Sequence, residues 1–130
     1  MAKVLIVEDD PGMLFIMREY LAAHGFQPVC ANSAAQARSR LKHSACDFII
    51  SDFNMPGESG LDLFRYVSRR YPHVPFILMT GTYDSRVKRE ALKMGVCKYL
   101  EKPFQFSELM SIISKPGRSG CRVATSAPAA

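Results

Sequence analysis

No apolar run in this chain approaches the length of a membrane span. The four cysteines include no C-x-x-C pair, which speaks against a zinc site or a dithiol redox motif. Cys30, Cys46 and Cys97 lie in or beside apolar runs and read as reduced, small core residues, whereas Cys121 sits in a polar stretch and is expected to be exposed and oxidisable. His24, His43 and His73 fall near helix ends or loops without metal-like spacing. There is no internal repeat. Met-Ala-Lys, four apolar residues and then acids make the start unlike a signal peptide. A cytoplasmic setting is expected. Acids are fewer than bases, giving a net charge of +5. The basic residues are spread over the polar faces of predicted helices, so solvated helix faces account for them better than a nucleic-acid patch does.

What is present is an alternation of strands and helices. With 130 residues and 48% hydrophobic content, the chain suits one domain with a real core. Apolar runs at Val4–Val7, Pro28–Ala31, Phe48–Ser51, Phe76–Met79 and Lys98–Leu100 predict five strands. Between them, Asp10 caps a first helix over Pro11–Ala23, in which Leu14, Met17 and Leu21 recur at helical spacing and Phe15 and Ile16 widen the stripe. Ser33 and Gln36 form a capping box for the second helix. Ser59-x-x-Asp62 opens the third, which ends before Pro72. Asp84 caps the fourth over Ser85–Met94, with Gly95 after it, and the fifth begins near Ser107. This pattern predicts an α/β fold, a doubly wound parallel sheet with helices on both faces. From Pro116 the composition shifts to Gly, Ser, Ala, Pro and Arg, so residues 1–115 are expected to form the domain and 116–130 a flexible tail or linker.

Four of the strands end in chemistry. The first runs into Glu8-Asp9-Asp10, the third into Asp52, the fourth into Thr80-Gly81 and the fifth into Glu101-Lys102-Pro103. In an open parallel sheet these ends share one rim, where ligands bind. Two carboxylates about 4 Å apart repel by roughly 4 kcal/mol at an effective dielectric of 20. Glu8, Asp9 and Asp52 together therefore raise a pKa, pair with a cation or bind a metal. Oxygen ligands without His or Cys favour Mg²⁺. Lys102 supplies a positive charge, and the Thr80 hydroxyl and Gly81 N–H are donors to an anion. Nucleophile, divalent ion, cation and donors describe a site for a phosphoryl group on a carboxylate.

Val-Glu-Asp-Asp at 7–10, Ser-Asp-Phe-Asn-Met-Pro-Gly at 51–57, Met-Thr-Gly at 79–81 and Tyr-Leu-Glu-Lys-Pro-Phe at 99–104 resemble the receiver domain of two-component response regulators, the chemotaxis-regulator-like superfamily. The resemblance spans residues 3 to about 114. It implies a five-stranded flavodoxin-like sheet of order 2-1-3-4-5 with five helices. It implies that Asp52 is the phosphoacceptor, forming an aspartyl phosphate, and that Glu8, Asp9, Asp52 and the backbone carbonyl of Asn54 hold Mg²⁺ or Mn²⁺. Thr80, Gly81 and Lys102 would bind the phosphoryl group, Thr80 and Tyr99 would form the switch, and the Lys102–Pro103 bond would be cis. The donor implied is a sensor histidine kinase or phosphotransfer protein. The output implied is a homodimer or downstream effector engaging the face of the fourth helix, fifth strand and fifth helix. The expectation is a signalling phosphoacceptor in phosphorelay signal transduction, not an enzyme beyond phosphorylating itself from donors and dephosphorylating itself.

Two other functions compete. A haloacid-dehalogenase-type phosphatase places a second Asp two residues after its nucleophile; that position here is Asn54, which cannot act as acid and base. A nucleic-acid-binding protein would need a helix-turn-helix or similar motif after residue 114, and the sequence carries none. No direct nucleic-acid or membrane partner is therefore expected of this domain.

Overall fold

The structure, a computed structural model, describes residues 2–82 and 84–113. Five strands alternate with five helices: β1 (Lys3–Val7), α1 (Pro11–Ala23), β2 (Gln27–Ala31), α2 (Ala34–His43), β3 (Phe48–Asp52), α3 (Gly60–Arg70), β4 (Phe76–Thr80), α4 (Ser85–Met94), β5 (Lys98–Glu101) and α5 (Phe106–Ile113). The strands form one parallel sheet of order β2-β1-β3-β4-β5. Residues 116–130 and Cys121 lie outside the described residues.

Local chemistry sets the helix starts. The Asp10 side chain accepts from Gly12 N, with Pro11 at the first helical position. Ser33 accepts from Gln36 N, but the Gln36 side chain accepts from Asn32 N, one residue before the cap, so the expected capping box is only half formed. Ser59 and Asp62 form a reciprocal capping box, and Asp84 accepts from Arg86 N and Val87 N. Each cap satisfies amide donors that the helix leaves without partners. Gly95 closes α4 with φ +115°, a left-handed conformation that favours glycine.

The sheet separates two apolar cores. Leu5, Val7, Ile49 and Leu78 pack under α2, α3 and α4 through Ala37, Leu41, Leu63, Phe64, Val67 and Ala91. Val4, Ile6, Ile50 and Ile77 pack under α1 and α5 through Met17, Leu21, Leu109 and Ile113. Helices on both faces explain why β3 and β4 are buried along their whole length and read as unbroken apolar runs. Each fully buried Leu, Ile or Phe contributes about 1.5–3 kcal/mol, against about 0–1 kcal/mol for an exposed ion pair. The core therefore fixes the fold, and the charged rim is left available for function.

Two further expectations fail. Phe15 and Ile16 do not widen the buried stripe of α1 but are 56% and 51% exposed. Met17 and Leu21 fill the inward face with partly buried Met13 and Leu14 beside them, and the two intervening residues point outward. Cys30 and Cys46 carry free thiols, but Cys97, although in the core as expected, is disulfide-bonded rather than reduced. It is nonetheless buried, at 7% exposure, directly before edge strand β5.

Candidate functional site

Chain order reverses direction between β1 and β3: β2 lies on one side of β1 and the later strands on the other. Connections diverge there and leave a crevice at the carboxyl ends of the two strands. Glu8 follows β1 directly and Asp52 is the last residue of β3. Both are buried, at 1% and 6% exposure, while Asp9 is exposed on the rim. Glu8, Asp9 and Asp52 each offer one oxygen, and the three lie within 4.8 Å of one another.

Lys102, one residue past β5, reaches into this pocket. Its Nζ is 3.0 Å from Glu8 Oε1 and 3.2 Å from Asp52 Oδ1. The Lys102–Pro103 peptide is cis. Lys102 N donates to the Thr80 carbonyl at 2.7 Å, which ties the residue to the end of β4. The second Glu8 oxygen accepts from Asp10 N at 3.2 Å.

Three carboxylates face one ammonium. Burial pushes the Glu8 carboxyl above its ordinary value, against the pull of the Lys102 hydrogen bond and the Asp10 amide; the Asp52 charge pushes it further. Burial likewise raises Asp52, opposed by Lys102 and reinforced by Asp9. Burial alone would lower Lys102, but the hydrogen bond to Glu8 and the charges of Asp52 and Glu8 outweigh it and raise the amine. The pocket is thus short of positive charge. An all-oxygen donor set of this kind suits a hard divalent cation. Asn54 is exposed on the loop that follows Asp52.

Thr80 ends β4 and is fully buried. Its hydroxyl donates to the Thr82 carbonyl at 3.0 Å and accepts from Thr82 N at 3.1 Å, so it is engaged by its own loop. Gly81 is exposed, with open space where a side chain would stand. Tyr99 pairs in register with Leu78, two residues before Thr80, so Thr80 and Tyr99 face the same side of the sheet. Tyr99 is 8% exposed and belongs to the core under α4. Its ring therefore already occupies the interior.

Sequence reasoning missed Gly60. A methyl group there would collide with the Asp52 carbonyl oxygen and approach the Leu78 side chain to 2.9 Å. Its amide donates to the Phe53 carbonyl at 2.9 Å. The first residue of α3 is thus pressed against the strand end that presents Asp52. The only signal was a glycine directly after a capping Ser, where any good helix former is ordinarily accepted. Phe15 and Ile16 were also missed as surface features; they lie in the second turn of the helix that begins beside Asp9 and Asp10.

A family model described as the response regulator receiver domain matches residues 4–114. Response regulator protein FleR of Pseudomonas aeruginosa is 39% identical over 116 residues, covering 88% of this chain and 24% of that protein. The DNA-binding transcriptional regulator NtrC of Escherichia coli is 30% identical over 112 residues, covering 86% and 24%. This chain thus spans about a quarter of the length of these relatives. Among solved structures, a response regulator receiver protein from Pseudomonas putida superposes with a TM-score of 0.84 at 28% identity, covering 88% of this chain and 97% of that one. Response regulator protein TrrA from Thermotoga maritima, in complex with Mg(2+)-BeF, does so with a TM-score of 0.77 at 27% identity over 88% and 97%. The matched stretch runs from β1 to the end of α5 and includes every strand end that meets at the pocket, so the chain belongs to the response regulator receiver domain family.

Proposed function

We propose that Asp52 accepts a phosphoryl group from a sensor histidine kinase or phosphotransfer protein, and that the modified domain then changes its affinity for a partner. The observation that carries this reading is the bridging of Glu8 and Asp52 by Lys102 in a crevice with Asp9 at the topological switch point. A carboxylate oxygen of Asp52 attacks phosphorus as the donor's nitrogen departs, leaving an acyl phosphate on Asp52. Glu8, Asp9, Asp52 and the Asn54 carbonyl would hold Mg²⁺ or Mn²⁺, which offsets the charge gathered by carboxylates and phosphoryl oxygens. Lys102 takes the phosphoryl group as a new anionic partner, and the Gly81 amide and Thr80 hydroxyl donate to it.

To donate, Thr80 must give up its bonds to Thr82. That exchange is the switching step. Thr80 shares a sheet face with Tyr99, so its movement is felt under α4 and transmits to the face of α4, β5 and α5. Arg86, Lys88, Arg89 and Lys93 give this face a basic rim suited to an acidic effector or a second receiver domain. Phe15 and Ile16 offer the donor an apolar footing beside the pocket. The reaction is stoichiometric signalling, in the cytoplasm, and needs no turnover beyond self-phosphorylation from donors and self-dephosphorylation.

Isothermal titration with fluoroberyllate tests the site. Saturable one-to-one binding is expected with Mg²⁺ present and none after chelation. Binding that ignores the cation, or that survives Asp9→Asn and Asp52→Asn together, contradicts the proposal.

A further inference from the structure

A second charged surface lies outside the phosphoacceptor pocket and its switch. Along α3, Arg65 and Tyr66 lie three and four residues after Asp62, and Arg69 and Arg70 four residues after each of these, so the five share one outer stripe. Arg38 reaches this stripe from α2. Its two terminal nitrogens each lie 2.6 Å from a different oxygen of Glu58, a forked pair that fixes the guanidinium plane. The guanidinium carbons of Arg38 and Arg70 are each 5.3 Å from the centre of the Tyr66 ring. Arg65 pairs with Asp62 at 2.9 Å. Among the described residues, Arg69 and Arg70 have no carboxylate partner.

Several of these side chains are held in place rather than free in solvent. The groove uses arginine throughout and no lysine, and the planar fork of arginine matches a carboxylate bidentately. Preorganised donors lose less entropy on binding than flexible ones. A phosphate backbone fits poorly. Evenly spaced negative charge would meet Glu58 and Asp62 in the groove, and the Tyr66 ring is already covered by guanidinium groups, leaving no platform for a base. A second copy meeting this face with its own α3 stripe would set arginines against arginines.

We infer that the α2–α3 face docks an acidic segment of a partner protein, with carboxylates about one helical turn apart seated on Arg65, Arg69 and Arg70. The surface also touches the chemistry. Glu58, held by Arg38, lies on the connection between β3 and α3 that carries Asn54. Because Arg38 stays forked onto Glu58, it adds a fixed positive wall to the groove and leaves Arg65, Arg69 and Arg70 to seat the segment.

The probe is a ten-residue oligoglutamate titrated into the isotopically labelled, unphosphorylated chain and followed by NMR. Shift changes should cluster on Arg38 and the α3 stripe. Arg65→Gln with Arg69→Gln should weaken the affinity at least fivefold, with unchanged melting temperature because both side chains are exposed. Raising the salt from about 50 to 300 mM should weaken it as well. Three results overturn the inference: equal affinity in the double variant, shifts centred on Arg86, Arg89 and Lys93 of α4, or tighter binding of a ten-residue oligothymidylate at the same stripe. Because no phosphodonor or divalent cation is involved, these outcomes are independent of the assignment of Asp52.

Discussion

Glu8 and Asp52 carry the cost of the site. Both carboxyls are raised above their ordinary values by burial, so in that range the folded chain binds protons more tightly than the unfolded one. The pocket's contribution to stability therefore falls as pH rises from the ordinary carboxylate range through the raised values, and is regained on acidification. Lys102 follows pH in the same direction, but as a gain that is lost rather than a cost that is incurred. Its raised value contributes stability that is complete below the ordinary lysine range and lost as pH rises above it. Asp52→Asn removes one charge of the uncompensated set while keeping its shape. It should raise the melting temperature near neutral pH without divalent cation, and the gap to wild type should close near pH 4, where unperturbed carboxylates titrate. A melting temperature lowered by Asp52→Asn would mean that the Lys102 pair outweighs the burial. The acids, the hydroxyl and the amine were legible because each follows an apolar run directly. The Thr80–Thr82 bonds and the interior position of Tyr99 were not, because rotamers are set by neighbours that sequence spacing does not reveal.

At the level of elements, α3 is the part that aims Asp52. Ser59 caps it and Gly60 presses it against the β3 carbonyl. Ser59→Ala should cost about 1 kcal/mol, as loss of a cap does, and leave phosphoryl acceptance intact. Gly60→Ala should cost about 1–3 kcal/mol through overpacking and also slow phosphoryl acceptance, since the displaced atoms belong to Asp52 itself. Denaturant melts with phosphorylation time courses on the two variants separate these effects; matching behaviour would remove Gly60 from any positioning role. Caps were the most legible part of the fold, because Ser and Asp at helix starts act through bonds two or three residues away. The width of the α1 stripe was not legible: a run of five apolar residues from Met13 to Met17 does not say which of them faces solvent. Phe15→Ala and Ile16→Ala should change stability by no more than about 0.5 kcal/mol, as exposed positions do, yet slow transfer from a protein donor while sparing transfer from a small one. Equal slowing with both donors would move their role from docking to the pocket.

For the whole molecule, the strand order β2-β1-β3-β4-β5 places the pocket at the reversal between β1 and β3. Divalent cation should bind there and raise the melting temperature by mass action; Asp9→Asn should largely abolish that increment. Fluoroberyllate should shift NMR signals from Asp52 through Thr80 to Tyr99 and α4. Moving a two-state element from mostly one state to mostly the other takes roughly 5.5 kcal/mol, and charge-assisted hydrogen bonds at about 1.5–3 kcal/mol each can supply much of it. Thr80→Ala should therefore preserve the changes at Asp52 and shrink those at α4. The most direct measurement of the central claim is the intact mass of wild type and Asp52→Asn after incubation with acetyl phosphate, with and without Mg²⁺. Wild type should gain one phosphoryl group, only with Mg²⁺, and Asp52→Asn none. Equal labelling of the two proteins, or labelling of wild type that is indifferent to the cation, would contradict it.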